Sequence, residues 1–393
     1  MRIRKIKSDF ELFYSIFIKP PKKWRPPLKS AILIYDEQAL SILAPYLSNF
    51  SFNSIALRGE SINIHCLIKA MLKLKFWKLK PIEAYSEAYI EAVNPTLIIT
   101  MTDNLKSFYE LSKSFSNTKT IFIQNGTRGI SGDIFDNLQK SDKYHVDYML
   151  VFCSEIGKYY QKFLSGEAIF IGSFKNNAIK KMIYKDARDV LFISQFIERE
   201  NNSDIWYYEN DGTPVYWDLF FETEKIILNF LDKWCFENKK QLKICGRYKK
   251  EDTNEKDFFK KNLHNCEWVF IPRQEDGCSY KLVDSSEIVV HIDSTLGYES
   301  IARGKKTATF SCRFPLREID KRFPFGWPKN FSSNGPFWTN NQDEIEFKRI
   351  MDYLNTISKN EWEKTLENYS NKLMEVDPGN TRFISLLDKL ITN

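Results

Sequence analysis

Short apolar runs separated by helical patterns recur through this chain, and the recurrence leaves few architectures open to it. The first series is AILIYDE (31–37), FNSIALRG (52–59), TLIITMT (96–102), TIFIQNG (120–126), YMLVFCS (148–154) and AIFIGS (168–173). Helical segments lie between most of them, including LKSFYELSKSF (105–115). Strand–helix alternation of this kind builds a parallel sheet with helices on both faces. The pattern restarts near residue 185 with DVLFISQ (189–195), LKICGR (242–247), EWVFIP (267–272), EIVVHI (287–292) and KTATFS (306–311). A long amphipathic helix is expected at 218–238, and two more at 342–356 and 359–374. The interval 196–217 is polar and aromatic, carries an Asp-Gly-Thr-Pro turn, and reads as a long loop.

A chain of 393 residues exceeds one ordinary core, so the two series read as two domains. The expected division is an α/β, Rossmann-like unit at 1–185, a second at 186–340, and helices at 341–393 packing back on both. In open α/β sheets, ligands bind outside the carboxyl ends of the strands. Arg58, Glu60, Asp103, Gln124, Asn125 and Glu155 follow such strand ends in the first unit. Gln195, Arg247 and Arg273 do so in the second, with Tyr280 and Lys281 on a nearby loop. An arginine there can fork onto a phosphate or a sugar carboxylate, or form a surface ion pair.

Charge is unevenly placed. The net charge is +6, yet residues 1–80 hold fifteen Lys/Arg against five Asp/Glu. The excess clusters in KPPKKWRPPLK (19–29) and HCLIKAMLKLKFWKLKP (65–81). The second segment interleaves apolar residues with Lys69, Lys73, Lys75, Lys78 and Lys80, so residues 65–80 suit an anionic membrane surface or a half-buried helix with a solvated basic face. With seven Cys in no CxxC pair and four His, a structural zinc site is not expected, and the thiols read as reduced in a cytoplasmic protein. No signal-peptide core and no membrane-spanning run of about 18 apolar residues is seen. Asp-x-Asp, Walker-type and GxGxxG sequences are absent, which argues against kinases and dehydrogenases and fits chemistry without a metal or cofactor.

The stretch IVVHIDSTLGYESIARGKKTATF (288–310) reads as strand, turn, helix, strand. Asp293, Ser294 and Thr295 fall where a helix begins, beside free backbone N–H groups and a partial positive charge. Hydroxyls there can cap the helix or bond a phosphate oxygen. Tyr298 and Glu299 lie one turn on, with Glu299 on the face of Thr295, so a ribose could sit on the Glu299 carboxylate. Simple N-capping with Glu299 facing solvent is the alternative. His291 reads as a core histidine, and His145 and His264 as surface ones.

The segment DSTLGYESIARGKKTATFS resembles the donor-binding segment of bacterial surface-polysaccharide glycosyltransferases of GT-B fold. It is similar to the surface carbohydrate biosynthesis family, and more distantly to retaining β-Kdo and capsule Kdo transferases. The resemblance extends to LRGESIN (57–63), FIQNGTRG (122–129), FISQF (192–196), CGR (245–247) and DPGNTRF (377–383). It implies a nucleotide-sugar donor, a CMP-activated ulosonic acid such as Kdo, and a glycan or lipid-linked acceptor on the cytoplasmic face of a membrane. Donor contacts then fall to Gln195, Arg247, Arg273, Lys281, Ser294, Thr295, Tyr298 and Glu299, and acceptor contacts to Arg58, Asp103, Gln124 and Asn125.

Sugar transfer needs a carboxylate near the anomeric carbon, as base or as nucleophile. Glu60, Asp218 and Glu155 are the candidates, with Glu198, Asp204, Asp211 and Glu222 as rivals to Asp218, which could equally be an N-cap. Competing expectations are a nucleoside-diphosphate donor carrying a sugar or glycerol phosphate, and a non-catalytic nucleotide-binding protein of the same fold. A nucleic-acid binder ranks last, since the basic charge is confined to one edge.

Overall fold

The computed structural model describes residues 14–78, 80–129, 133–138, 144–184, 187–197, 205–208, 214–248, 253–274, 277–313 and 324–391. Two six-stranded sheets form its frame, and every pairing within them is parallel. The first contains β1 (Ile32–Tyr35), β2 (Phe52–Ile55), β3 (Leu97–Thr100), β4 (Lys119–Ile123), β5 (His145–Val151) and β6 (Ser165–Phe170), in the order β2-β1-β3-β4-β5-β6. The second contains β7 (Val190–Ile193), β8 (Leu242–Cys245), β9 (Trp268–Ile271), β10 (Ile288–His291), β11 (Lys306–Phe310) and β12 (Trp338–Thr339), ordered β9-β8-β7-β10-β11-β12. That second order is the doubly wound one, whose direction reverses between β7 and β10. Strands β1, β3, β7 and β10 are buried at every residue, as expected for parallel strands covered on both faces.

Each of the eleven apolar runs forms a strand where the sequence places it. β12 was not anticipated, and neither was the antiparallel pair Ile205–Tyr208 with Pro214–Tyr216, which occupies part of the expected 196–217 loop. The expected helix at 105–115 is two short turns, Lys106–Tyr109 and Leu111–Ser114, divided at Glu110. The basic segment is also broken, into α1 (Ile64–Met71) and a single turn, Leu74–Trp77. Asn63 caps α1 by accepting the backbone N–H of Cys66 at 3.1 Å.

Behind the basic segment runs α2 (Pro81–Val93), and α3 (Ser154–Tyr160) follows β5. In the second domain, α4 (Trp217–Glu237) follows β7, α5 (Thr253–Asn262) follows β8, α6 (Cys278–Ser285) follows β9, and α7 (Thr295–Ala302) follows β10. Then come α8 (Glu344–Thr356), α9 (Lys359–Glu367) and α10 (Thr381–Ile391). α10, whose bounds the sequence did not give, returns to the first domain, where Phe383, Leu386 and Leu387 share a core with Leu43, Leu47 and Phe174. Gly172 makes the crossing close: a Cβ there would lie 1.8 Å from the carbonyl oxygen of Glu375, and its φ is +71°.

Aromatic residues serve mostly as core. Phe325 stacks on Trp338 at 4.3 Å, and Phe310 meets Phe347 at 4.4 Å. No helix among the described residues is long and apolar enough to cross a membrane.

Candidate functional site

The carboxyl ends of both sheets face a common cleft. Gln124, Thr127 and Arg128 line it from the first domain, and Asp293, Tyr298 and Trp327 from the second. The floor on the second side is the switch point between β7 and β10. Strand β7 runs into Ser194 and Gln195, and β10 runs into Asp293 and Ser294.

Arg313, after β11, joins these ends. Its Nε donates to Asp293 Oδ2 at 2.8 Å, and its Nη2 donates to Gln195 Oε1 at 2.7 Å and Glu224 Oε1 at 3.0 Å. Arg313 and Glu224 are buried, and Oε2 of Glu224 has no hydrogen-bond partner among the described residues. Burial lifts the Glu224 carboxyl to about 7, against the pull of Arg313. Sequence reasoning missed both residues. The available signal was an arginine just past a strand end and a glutamate within a long amphipathic helix.

Ser294 is the N-cap of α7, and its side chain makes no capping bond, so hydroxyl and first-turn N–H groups remain together at the switch point. Tyr298 accepts the N–H of Gly326 at 3.1 Å, which fixes its ring in the cleft wall. Thr295 reaches across the cleft: its Oγ1 accepts the N–H of Thr127 at 3.0 Å. Glu299, expected to hold a ribose or to face solvent, is turned into the protein. It is buried, its Oε1 takes the hydroxyl of Ser173 in the interdomain linker, and the Tyr280 hydroxyl bonds it as well. Burial raises its pKa. Arg303, one turn on, forks onto Asp284, with Nε–Oδ1 at 2.8 Å, and donates to Asn176 Oδ1 at 2.9 Å, which ties α7 to the same linker.

Arg247 is exposed and donates to the Gln195 carbonyl at 3.2 Å. Its backbone N–H donates to Glu255 at 3.0 Å, and the Ser194 hydroxyl bonds the same carboxylate, so Glu255 shapes the loops after β7 and β8. Arg273 and Lys281 are exposed on the loop after β9 and on α6. His291 is buried and bonds Thr309 at 2.9 Å through Nε2, and its Nδ1 has no partner among the described residues; burial pushes its pKa down to about 3, which keeps it neutral. Gly297 packs against it so closely that a Cβ would lie 2.1 Å from the ring.

In the first domain, Arg58 pairs with Asp36 at 2.7 Å, and Thr102 donates to the same carboxylate at 2.9 Å. Asp36 has φ +102°, a strained geometry at a strand end. Glu60 is exposed and its Oε2 accepts the N–H of Arg58 at 3.0 Å. Asp103 is buried and holds Arg128 through Nε at 2.9 Å, with the Tyr160 hydroxyl at 2.7 Å. Arg128, also missed from sequence, is thereby fixed in the cleft wall. Gln124 shapes the loop after β4 by donating to the Gly126 carbonyl at 2.9 Å and accepting Phe152 N–H at 2.9 Å. Asn125 is exposed beside it. Glu155 pairs with Lys158 at 3.4 Å in the first turn of α3.

Asp218 lies in α4, but its side chain falls outside the described residues, as do Glu198, Asp204 and Asp211. Glu222 is exposed and pairs with Lys225 at 3.2 Å. No group of three or more His, Cys, Asp or Glu side chains suited to a metal occurs among the described residues.

Two parallel-sheet domains facing a common cleft define the class: this is a protein of GT-B fold. Solved structures share it. A glycosyltransferase from Rickettsia africae ESF-5 matches at 12% identity and TM-score 0.53, over 93% of this chain and 99% of that one. Staphylococcus aureus MnaA, in a co-structure with UDP, matches at 12% identity and TM-score 0.52, over 95% and 98%. The UDP-GlcNAc 2-epimerase of Neisseria meningitidis, bound to UDP-GlcNAc, matches at 11% identity and TM-score 0.50, over 91% and 99%. Likeness at these identities establishes the fold alone. Within that class, the chain belongs to the family described as "putative O-antigen biosynthesis protein", whose model matches residues 121–391. No curated protein matches it.

Proposed function

We propose that the protein is a glycosyltransferase of surface-polysaccharide assembly that moves a sugar from a nucleotide donor to a growing or lipid-linked glycan. The observation that carries this reading is the start of α7: Ser294, whose side chain makes no capping bond, beside the N–H groups of Thr295 and Leu296 at the sheet's switch point, facing a polar loop of the other domain. Phosphate of the donor binds there. The exposed guanidinium of Arg247 and the amide of Gln195 lie on the neighbouring strand ends and bond donor oxygens. Arg273 and Lys281 add positive charge on the next loop and helix, where they attract the anionic donor. These groups stabilise the departing nucleotide as negative charge develops on it.

The acceptor binds on the first-domain rim, near Arg58, Asp103, Gln124 and Asn125. Glu60 is the base of choice: it is exposed and, among the described residues, accepts only a backbone hydrogen bond, whereas Asp103 and Glu155 are already ion-paired. For the donor itself we favour a CMP-activated ulosonic acid such as Kdo; the support for it is the sequence resemblance.

Thermal stabilisation by CMP, CDP, UDP, GDP and ADP tests the reading, since a ligand that binds only the folded state raises the melting temperature. Selective stabilisation by CMP, lost in Ser294→Ala, is the expected result. Stabilisation by a nucleoside diphosphate retains the transferase and replaces the donor. A flat panel overturns the nucleotide site.

A further inference from the structure

One edge of the first domain presents large apolar side chains to solvent in an unusual concentration. Trp24 is 74% exposed, Leu28 81%, Leu72 83% and Leu74 77%, with Ile68 and Trp77 also exposed beside them. Scattered surface leucines need no explanation, but a contiguous group does. These residues are structurally joined. Lys22 and Lys23 pair in register with Ile62 and Asn63, and Asn63 Nδ2 donates to the Arg25 carbonyl at 2.8 Å while its side-chain oxygen caps α1. The 22–28 loop is thereby fixed against the start of the helix that carries Ile68. On the other side, Phe17 packs edge-on against Phe76 at 6.0 Å, and the Trp77 indole donates to the Met71 carbonyl at 2.7 Å.

The charges around this patch are sorted. Lys73 bonds Glu91 at 2.7 Å, Lys75 bonds Glu87 at 2.7 Å, and Lys80 bonds Glu83 at 3.0 Å, so the carboxylates of α2 are neutralised by lysines facing them. This corrects the expected five-lysine basic face of 65–80. Lys69 and Lys78 remain exposed, with no carboxylate partner among the described residues. The 19–29 segment adds exposed Lys19, Arg25 and Lys29 and contains no acid. Apolar and indole side chains among unneutralised cations are complementary to one kind of surface: acyl chains beneath anionic headgroups.

We propose that this edge, residues 14–28 with 64–78, docks the protein on an anionic lipid bilayer. The outer element is the Trp24–Leu28 loop as much as the helical segment. The rim residues Arg58 and Glu60 lie in the loop that leads directly into the Ile62–Asn63 strand, so docking brings the first-domain rim beside the bilayer.

Flotation with vesicles of mixed phosphatidylcholine and phosphatidylglycerol, and of phosphatidylcholine alone, tests this. It needs no donor, acceptor or turnover, so its outcome is separate from that of the transferase reading. Wild type is expected to float with the anionic vesicles and to be released by salt. Trp24→Ser/Leu28→Ser/Leu72→Ser is expected to lower the bound fraction roughly tenfold. Lys69→Glu/Lys78→Glu should weaken binding to the anionic vesicles. The substituted side chains are exposed, so melting temperatures should match wild type. Absence of flotation, or equal flotation of wild type and the triple variant, overturns the proposal. So does a lipid-free dimer that the triple substitution dissociates, because the patch is then a contact between two copies.

Discussion

The backbone N–H of Thr127 donates to the Thr295 hydroxyl at 3.0 Å, joining the first-domain loop after β4 to the first turn of α7. A hydrogen bond of this kind contributes about 1 kcal/mol net. It is an interdomain contact made at the edge of the cleft, so its loss should favour an open arrangement. Thr295→Val keeps the shape and removes the acceptor. Nucleotide affinity is expected to fall roughly fivefold, and the radius of gyration in solution scattering to rise, whereas Thr295→Ser behaves as wild type. An unchanged radius and affinity in the valine variant would refute a closing role.

Arg313 carries a larger share of stability. It bonds both Asp293 and Glu224; Arg313 and Glu224 are buried, and Asp293 lies half-buried in the cleft lining. Arg313→Met leaves the buried Glu224 carboxyl without its guanidinium, beside Asp293, and should cost about 3–5 kcal/mol in urea unfolding. Arg313→Met/Glu224→Met removes one of those charges and should cost less than the single substitution, a non-additivity that identifies the network. Equal losses would show that the two residues act independently.

Glu224 gives the network a pH dependence whose sign follows from its raised pKa. The folded carboxyl is pushed up by burial to about 7, from an ordinary value of 4.5. Between those values the folded state holds a proton that the unfolded state has released. Stability from this group is therefore fully present at low pH and is lost as pH rises through that window, by on the order of 3 kcal/mol. Glu224→Gln cannot titrate. Urea midpoints at about pH 5 and about pH 8 should differ more for wild type than for the glutamine variant. Identical differences would place the titration elsewhere.

Much of the frame was legible because parallel strands buried on both faces must be continuous apolar runs, and eleven of the twelve sheet strands were read that way. β12 has only two residues and no apolar run to announce it. Helix limits failed where local packing intervened, as at Glu110 and between Met71 and Leu74. At the site, strand-end logic reached Gln195, Ser294 and Thr295 because position along a strand is a local property. Arg128, Glu224 and Arg313 escaped it because their roles depend on partners 25, 89 and 20 residues away. Glu299 shows the converse limit. Helical spacing placed it correctly relative to Thr295, yet spacing along one helix cannot tell which neighbouring segment covers that face.

That face is covered by the interdomain linker, and the consequence can be separated from ribose binding. Ser173 donates to Glu299, and Ser173 also caps the linker helix Phe174–Ala178 by accepting Asn176 N–H at 3.3 Å. Glu299→Ala removes the acceptor for buried hydroxyls on Ser173 and Tyr280, and should cost about 1–3 kcal/mol of stability. Glu299→Gln keeps an acceptor oxygen and should recover most of it. Ser173→Ala should cost more in wild type than in the Glu299→Ala background, where only its cap on Asn176 N–H remains to be lost. Nucleotide affinity, measured by calorimetry well below the melting transition, should change less than about twofold in Glu299→Gln if the carboxylate ties the domains together. A roughly tenfold loss of affinity at wild-type stability in that variant would return Glu299 to the donor site.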